Sequence, residues 1–338
     1  MIQTKEEINV LALEEEFYSK PFNFSYSGLN RLLFSPKLFY SHYVLQQREE
    51  KLDSYLLEGK VIHCLLLDGD NFDRQFVVSP LSLPSDNPKL VVDRVFKYAQ
   101  ETNSLDQDLR SFESPILDIL KEINLHQSLK TDEQRVDKMV TDQTVSYFDF
   151  LKQKGSKDVI DTEMYNRCLE SVQILRQNED VVKVLDLYRN SGGTVYSEHP
   201  IQINLPGYPF GLKGIIDNLV VNENDKTIVI NDLKTTGKDI ASFPESVGYY
   251  KYWIQAAIYH KLAWTNFIKG LADAAEWNIV ITFIVIDKYN QVYPYQVSKE
   301  TLEIWLADFE DIEDKLKYHY INREYKLPYE LALGNVTL

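Results

Sequence analysis

The chain has 338 residues, which is room for one elaborated domain or two ordinary ones. Apolar residues make up 44 % of it and aromatic residues 12 %, enough for a core, so wholesale disorder is excluded. Its 51 acidic residues against 36 basic ones give a formal net charge of −15, which excludes a uniformly basic DNA-coating protein but allows an enzyme that confines positive charge to one groove.

Residues 1–23 carry no strong pattern, and Met1 to Glu7 lacks the apolar run of a signal peptide. The longest clean apolar run, Ile279 to Ile286, is far shorter than the ~20 residues of a membrane span. A soluble, cytoplasmic protein with no membrane partner is expected. Ser25 and Ser35 each start a capped helix, and Pro36 fits the first helical position behind Ser35. Leu52 to Leu67 reads as an apolar helix and Phe76 to Val78 as a short strand. Pro80, Pro84 and Pro88 punctuate a loop. Residues 81–190 read as a mostly helical insertion or layer, clearest at Asp161 to Gln177, where Met164, Cys168, Val172 and Leu175 recur at helical spacing. Cys64 and Cys168 read as small core residues. Two cysteines cannot supply the four ligands of an iron–sulfur cluster, nor a disulfide framework.

The strand-rich part begins near Gly193. Thr194 to Asn204 reads as a strand, and Phe210 to Val221 with Lys226 to Leu233 as a hairpin about Asn222 to Asp225. Glu245 to Lys269 follows as a helix, then strands Asn278 to Ile286 and Val292 to Val297, then a helix from Thr301 to Tyr318. Helices, strands, a helix, more strands and a helix imply an α/β fold with a mixed central β-sheet flanked by helices. The expected organisation is one domain over 1–338: helices in 1–80, the helical insertion 81–190, the sheet core 191–320 and a tail 321–338.

The hairpin carries the chemistry. If residues 222–225 form the loop, Asp217 lies opposite Ile230, and Asp232 is its diagonal neighbour on the same face, about 7–8 Å away. Asp217, Asp232 and Lys234 then project from one end of one face. Two carboxylates at that separation suit a hard cation such as Mg²⁺, and Mn²⁺ accepts the same ligands. Lys234 is placed to orient an attacking water or to stabilise negative charge on a phosphate. These are the parts that phosphodiester hydrolysis needs. The competing reading is a surface salt bridge between Asp232 and Lys234. The buried-type run Ile228-Val229-Ile230 directly before the pair favours the site.

Gly214-x-x-Asp217 followed by Asp232-x-Lys234-Thr235-Thr236 resembles the core of the PD-(D/E)xK nucleases, which implies a restriction-endonuclease-like sheet. Gly59-Lys60-Val61-Ile62-His63 resembles the histidine motif of the RecB-like branch, and Gln255-Ala256-Ala257-Ile258-Tyr259 resembles its Gln-x-x-x-Tyr motif. Ser25, Ser27 and Leu29, Ser35-Pro36, and Gly59, His63, Phe72 and Phe76 further resemble the exodeoxyribonuclease VIII (RecE) type and its phage relatives. The ordered set spans roughly residues 22–300. The resemblance implies His63, Asp217, Asp232 and the Leu233 backbone carbonyl as metal ligands, and Gln255 and Tyr259 lining the site with Lys234. Read alone, His63 in its apolar helix is more often a satisfied core histidine, and Gln255, Tyr259 and Lys251 fit the polar edge of an amphipathic helix. Glu198 either assists the metal or is an exposed strand residue, and Lys213 either meets a phosphate or is solvated. Tyr249, Tyr250, Tyr252 and Trp253 form an aromatic cluster suited to stacking on bases or to core packing.

The implied function is metal-dependent hydrolysis of linear double-stranded DNA from its ends, 5′ to 3′, in recombination or repair. A single-strand annealing protein is the implied partner. A homo-oligomeric ring with a basic channel would reconcile the acidity with DNA binding. The alternatives are another nuclease of the superfamily, Cas4-like or an endonuclease, and a non-catalytic DNA-end-binding protein on the same fold. The Cas4-like version lacks its cluster cysteines.

Overall fold

A computed structural model of the chain describes residues 5–47 and 54–334. Leu52, the expected start of the apolar helix, lies outside them. The chain divides into two compact units, one of residues 1–53 and 173–338 and one of residues 54–172.

Eight strands occur among the described residues: β1 (Asn23–Phe24), β2 (Phe76–Val78), β3 (Asp158–Ile160), β4 (Thr194–Asn204), β5 (Gly211–Asn222), β6 (Thr227–Thr236), β7 (Asn278–Asp287) and β8 (Val292–Gln296). The unit of residues 54–172 is mainly helical, with β2 and β3 as a parallel pair. Its helices Asp86–Glu101, Glu113–Glu122 and Asp142–Lys154 close over Val92, Val95, Phe112, Ile116, Leu120 and Phe148. Thr131 and Thr141 each open a helix with a reciprocal capping box. Pro88 sits in the first turn of Asp86–Glu101 and not in the loop ahead of it; its missing N–H is one that a first turn leaves unpaired anyway. The helical unit starts ahead of residue 81 and ends ahead of residue 190. Helix Glu179–Leu185 belongs to the other unit, because its last carbonyls are bonded by side chains of β5 and β6.

In that unit the strands run β1-β5-β6-β7-β8, with β4 also paired to β5. β6 and β7 are parallel, β5–β6 and β7–β8 antiparallel, so the sheet is mixed as expected. β6 is interior and β7 almost wholly buried, which accounts for their near-continuous apolar runs. Helix Tyr252–Ala263 packs on the sheet through Ile254, Ile258 and Leu262, and helix Lys299–Asn322 packs against that helix, adding Phe309 and Leu316 to the same core. Among the described residues no helix is long and apolar enough to cross a membrane.

Two local features differ from the sequence reading. The hairpin pairs Asn222 with Thr227, two positions out of the expected register. Asn222 stays in its strand because its side-chain oxygen accepts the N–H groups of Asn224 and Asp225, so the loop moves on to residues 223–226. The expected helix Glu245 to Lys269 is two helices, Phe243–Tyr249 and Tyr252–Ala263, broken where Lys251 adopts a left-handed conformation (φ 57°). A π-turn, Trp264–Ile268, follows.

Candidate metal centre and active site

The site lies where two strands part. β5 and β6 pair from Asn222–Thr227 only as far as Asn218–Asn231. Beyond that point β5 continues beside β4 down to Gly211, while β6 continues beside β7 up to Thr236. Carried one rung past Asn218–Asn231, the register sets Asp217 opposite Asp232 and not diagonal to it. A shift of two residues keeps every side chain on its expected face, so the grouping survives the error.

The fork frees backbone groups from the ladder, and site residues take them up. The N–H of Leu233 donates to Oδ2 of Asp217 at 2.8 Å. The hydroxyl of Tyr259 donates to the carbonyl of Ile215 at 2.7 Å. Gln255 Nε2 bridges Tyr259 Oη (2.9 Å) and Asp232 Oδ1 (2.8 Å). Gln255 and Tyr259 therefore share a helix face towards the fork, one turn apart. Gly214 permits this approach: a Cβ there would stand 2.7 Å from Cε1 of Tyr259.

Lys234 Nζ sits 2.5 Å from Asp232 Oδ2 and 4.8 Å from the centre of the Tyr252 ring. Burial pulls the ammonium pKa down, but the charges of Asp232 and Asp217 outweigh it and hold the group above its ordinary value. Burial, followed by the same two carboxylates, pushes the Tyr259 phenol well above its ordinary value, so it remains a donor. Asp232 is 1 % exposed and Asp217 is also buried. Lys234, itself mostly buried, and the Asp232 carboxylate form an ion pair inside the protein and not on its surface.

Glu198 stands across from Asp217 on the far side of β5, between the paired positions Ser197–Asn218 and His199–Ile216. Its own backbone is left-handed (φ 46°), a strained kink within an extended strand. A carboxylate oxygen of Glu198 and one of Asp217 lie within 4.8 Å of each other. Glu198 is half-buried, and Glu198, Asp217 and Asp232 come from three neighbouring strands. Lys213 is exposed and lines a groove of about 680 Å³ with Ser25, Tyr26, Gly214, Gln255 and Tyr259. Lys251 does not share the face of Gln255 and Tyr259; it lines a different cavity, with Trp253, Lys315 and His319. His63 is half-buried on helix Ser54–Leu67 of the other unit.

Sequence reasoning missed Tyr26, which lines the groove, and, although it grouped Tyr252 with the aromatic cluster, it did not place that ring beneath Lys234. It also missed Asn218 and Asn231, a directly paired, buried couple on the opposite face from the aspartates. Two polar residues flanking the aspartates within apolar strands were the available signal.

A family model for the PD-(D/E)XK nuclease superfamily matches residues 23–324. The chain belongs to that superfamily. No curated protein sequence matches the chain. Among solved structures, one of a "Putative exonuclease" from Eubacterium rectale is similar at 16 % identity and a TM-score of 0.43, covering 100 % of this chain and 95 % of that one.

The donor set fits a divalent cation of the Mg²⁺ or Mn²⁺ kind. Glu198, Asp217 and Asp232 offer oxygens only, two of them within reach of one ion, and each carboxylate keeps lone pairs beyond those already bonded.

Proposed function

We propose that the chain is a Mg²⁺- or Mn²⁺-dependent deoxyribonuclease that degrades linear double-stranded DNA from its ends, 5′ to 3′, in the manner of the RecE type. The observation that carries the reading is the alignment of Asp217 and Asp232 at the fork with Lys234 on Asp232. Asp217, Asp232 and Glu198 would hold the ion. His63 is added as a ligand by its motif, and the Leu233 carbonyl by its place between Asp232 and Lys234. A bound ion would polarise a phosphoryl oxygen and make water a nucleophile near neutral pH.

The chain's own groups do the rest. The Leu233 N–H and the Gln255 amide fix the orientation of Asp217 and Asp232. Lys234, whose pKa the two carboxylates raise, would donate to the attacking water or to the phosphate as charge builds there. Lys213, in the groove, would meet a neighbouring phosphate. Action in the cytoplasm, in recombination or repair, with a single-strand annealing partner and a ring-shaped oligomer, completes the proposal by resemblance.

Duplex DNA labelled at the 5′ or the 3′ end, with closed circular DNA as control, tests it in Mg²⁺, in Mn²⁺ and in chelator. Early release of 5′ label from linear DNA alone is expected. Lys234→Met should lose activity by roughly 10²–10³-fold, and Asp232→Asn by at least as much. Cutting of the closed circle would replace the exonuclease reading by an endonuclease at the same site. Absence of cleavage with either metal would leave only a DNA-binding module.

A further inference from the structure

Two tyrosines close to the fork stand in solvent: Tyr249 is 77 % exposed and Tyr250 44 %. They are not scattered surface aromatics. The Tyr249 and Tyr250 rings meet edge to face at 4.9 Å, and Tyr250 stacks on Tyr252 at 5.5 Å with 27° between planes. Tyr252 in turn lies under the ammonium of Lys234. One continuous row of rings therefore runs from the metal-site lysine out to solvent.

The row is held in place. The hydroxyl of Tyr26 donates to the backbone carbonyl of Tyr250, and Asn30 Nδ2 reaches the same carbonyl at 3.4 Å. The left-handed Lys251 ends one helix and starts the next, turning Tyr249 and Tyr250 away from the helix that carries Gln255. The Tyr26 ring is 6.2 Å from that of Tyr252 and also lines the groove beside Lys213, so groove and row meet at the site. Cations accompany both: Lys238 Nζ lies 5.9 Å from the Tyr249 ring centre, and Lys213 is in the groove. Aromatic faces with flanking lysines are complementary to a strand whose bases are unstacked and whose phosphates are exposed. A duplex keeps its base faces covered and would gain little from the rings.

We infer that Tyr249 and Tyr250, seated on the covered ring of Tyr252, form a stacking platform for unpaired nucleobases of the strand whose phosphodiester lies at the fork. The inference rests on the nuclease reading for its position but concerns binding alone. It gives the enzyme a means of holding a frayed end open beside the metal.

The test is equilibrium binding in chelator, where cleavage is suppressed, using a fluorescein-labelled thymidine oligonucleotide and a blunt duplex of equal length. The Tyr249→Ala/Tyr250→Ala variant should weaken single-strand binding roughly 10- to 100-fold. The Tyr249→Phe/Tyr250→Phe variant keeps the ring faces and should stay within about twofold of the parent. Duplex affinity should fall several-fold less than single-strand affinity in the alanine variant. Unchanged oligonucleotide binding by the alanine variant overturns the platform, as does an equal loss in the phenylalanine variant or an equal loss on duplex. Metal-dependent cleavage by the unsubstituted protein, measured separately, decides the nuclease reading, so the two can fail independently.

Discussion

Glu198 combines a carboxylate beside Asp217 with a left-handed backbone inside β4. For an L-residue that conformation costs about 1–2 kcal/mol, which glycine escapes. In an ordinary strand position glycine is the less stable choice by roughly 0.5–1 kcal/mol. Thermal unfolding without metal should therefore reverse the usual order: Glu198→Gly more stable than Glu198→Ala by about 1 kcal/mol. Both variants should lose part of the rise in melting temperature that Mn²⁺ gives the parent. Alanine as stable as glycine would remove the strain from the account. Nothing in the sequence announces this kink, since glutamate carries no preference for positive φ. The spacing of Asp217, Asp232 and Lys234 put them on one face of the hairpin, and that of Gln255 and Tyr259 on one face of a helix, but only the resemblance joined the two faces into one site. Gly214 was legible as part of a pattern, but its reason, the passage of the Tyr259 ring, belongs to tertiary packing.

At the scale of elements, the reverse face of the fork is built from Asn218 and Asn231. Asn231 Nδ2 donates to the Val184 carbonyl at 2.9 Å and to Asn218 Oδ1 at 2.7 Å, and Asn218 Nδ2 donates to the Leu185 carbonyl at 3.1 Å. Val184 and Leu185 end helix Glu179–Leu185, where carbonyls lack intrahelical partners. Two sheet asparagines thus cap a helix end and lock it to the last paired rung before the strands part. Removing Asn231 leaves buried acceptors unsatisfied, at about 1–3 kcal/mol each. Asn231→Ala should cost about 2 kcal/mol or more in denaturant unfolding, and the double variant with Asn218→Ala less than the sum of the singles. Strict additivity would mean that the two amides do not act as one unit. The same hairpin shows where element-level reading stops. Alternation gave the faces, whereas the register turned on Asn222, which pairs with Thr227 while its side-chain oxygen accepts the two N–H groups of the loop. The break at Lys251 was equally hidden, since neither glycine nor proline occupies positions 249–251 and the apolar periodicity runs on through it.

For the whole molecule, the net charge of −15 bears on how DNA is held. A protein that bound through a broad basic surface would show a steep dependence on salt, with log K falling by about 0.9 per phosphate contact for each decade of salt. Here the cations around the fork are few: Lys213 in the groove, Lys238 beside Tyr249, and Lys234, already engaged by Asp232. About three contacts predict a slope of roughly −2 to −3 for duplex binding in chelator. Screening of the repulsion between the acidic body and the phosphates makes the slope shallower still. Lys213→Ala should weaken binding to every sequence alike and reduce the slope by close to one. A slope steeper than about −5 would mean that most of the phosphate contacts lie away from the fork. DNA would then be gripped by a basic surface elsewhere, and positioning at the metal site would come from that surface and not from the groove and rings beside it.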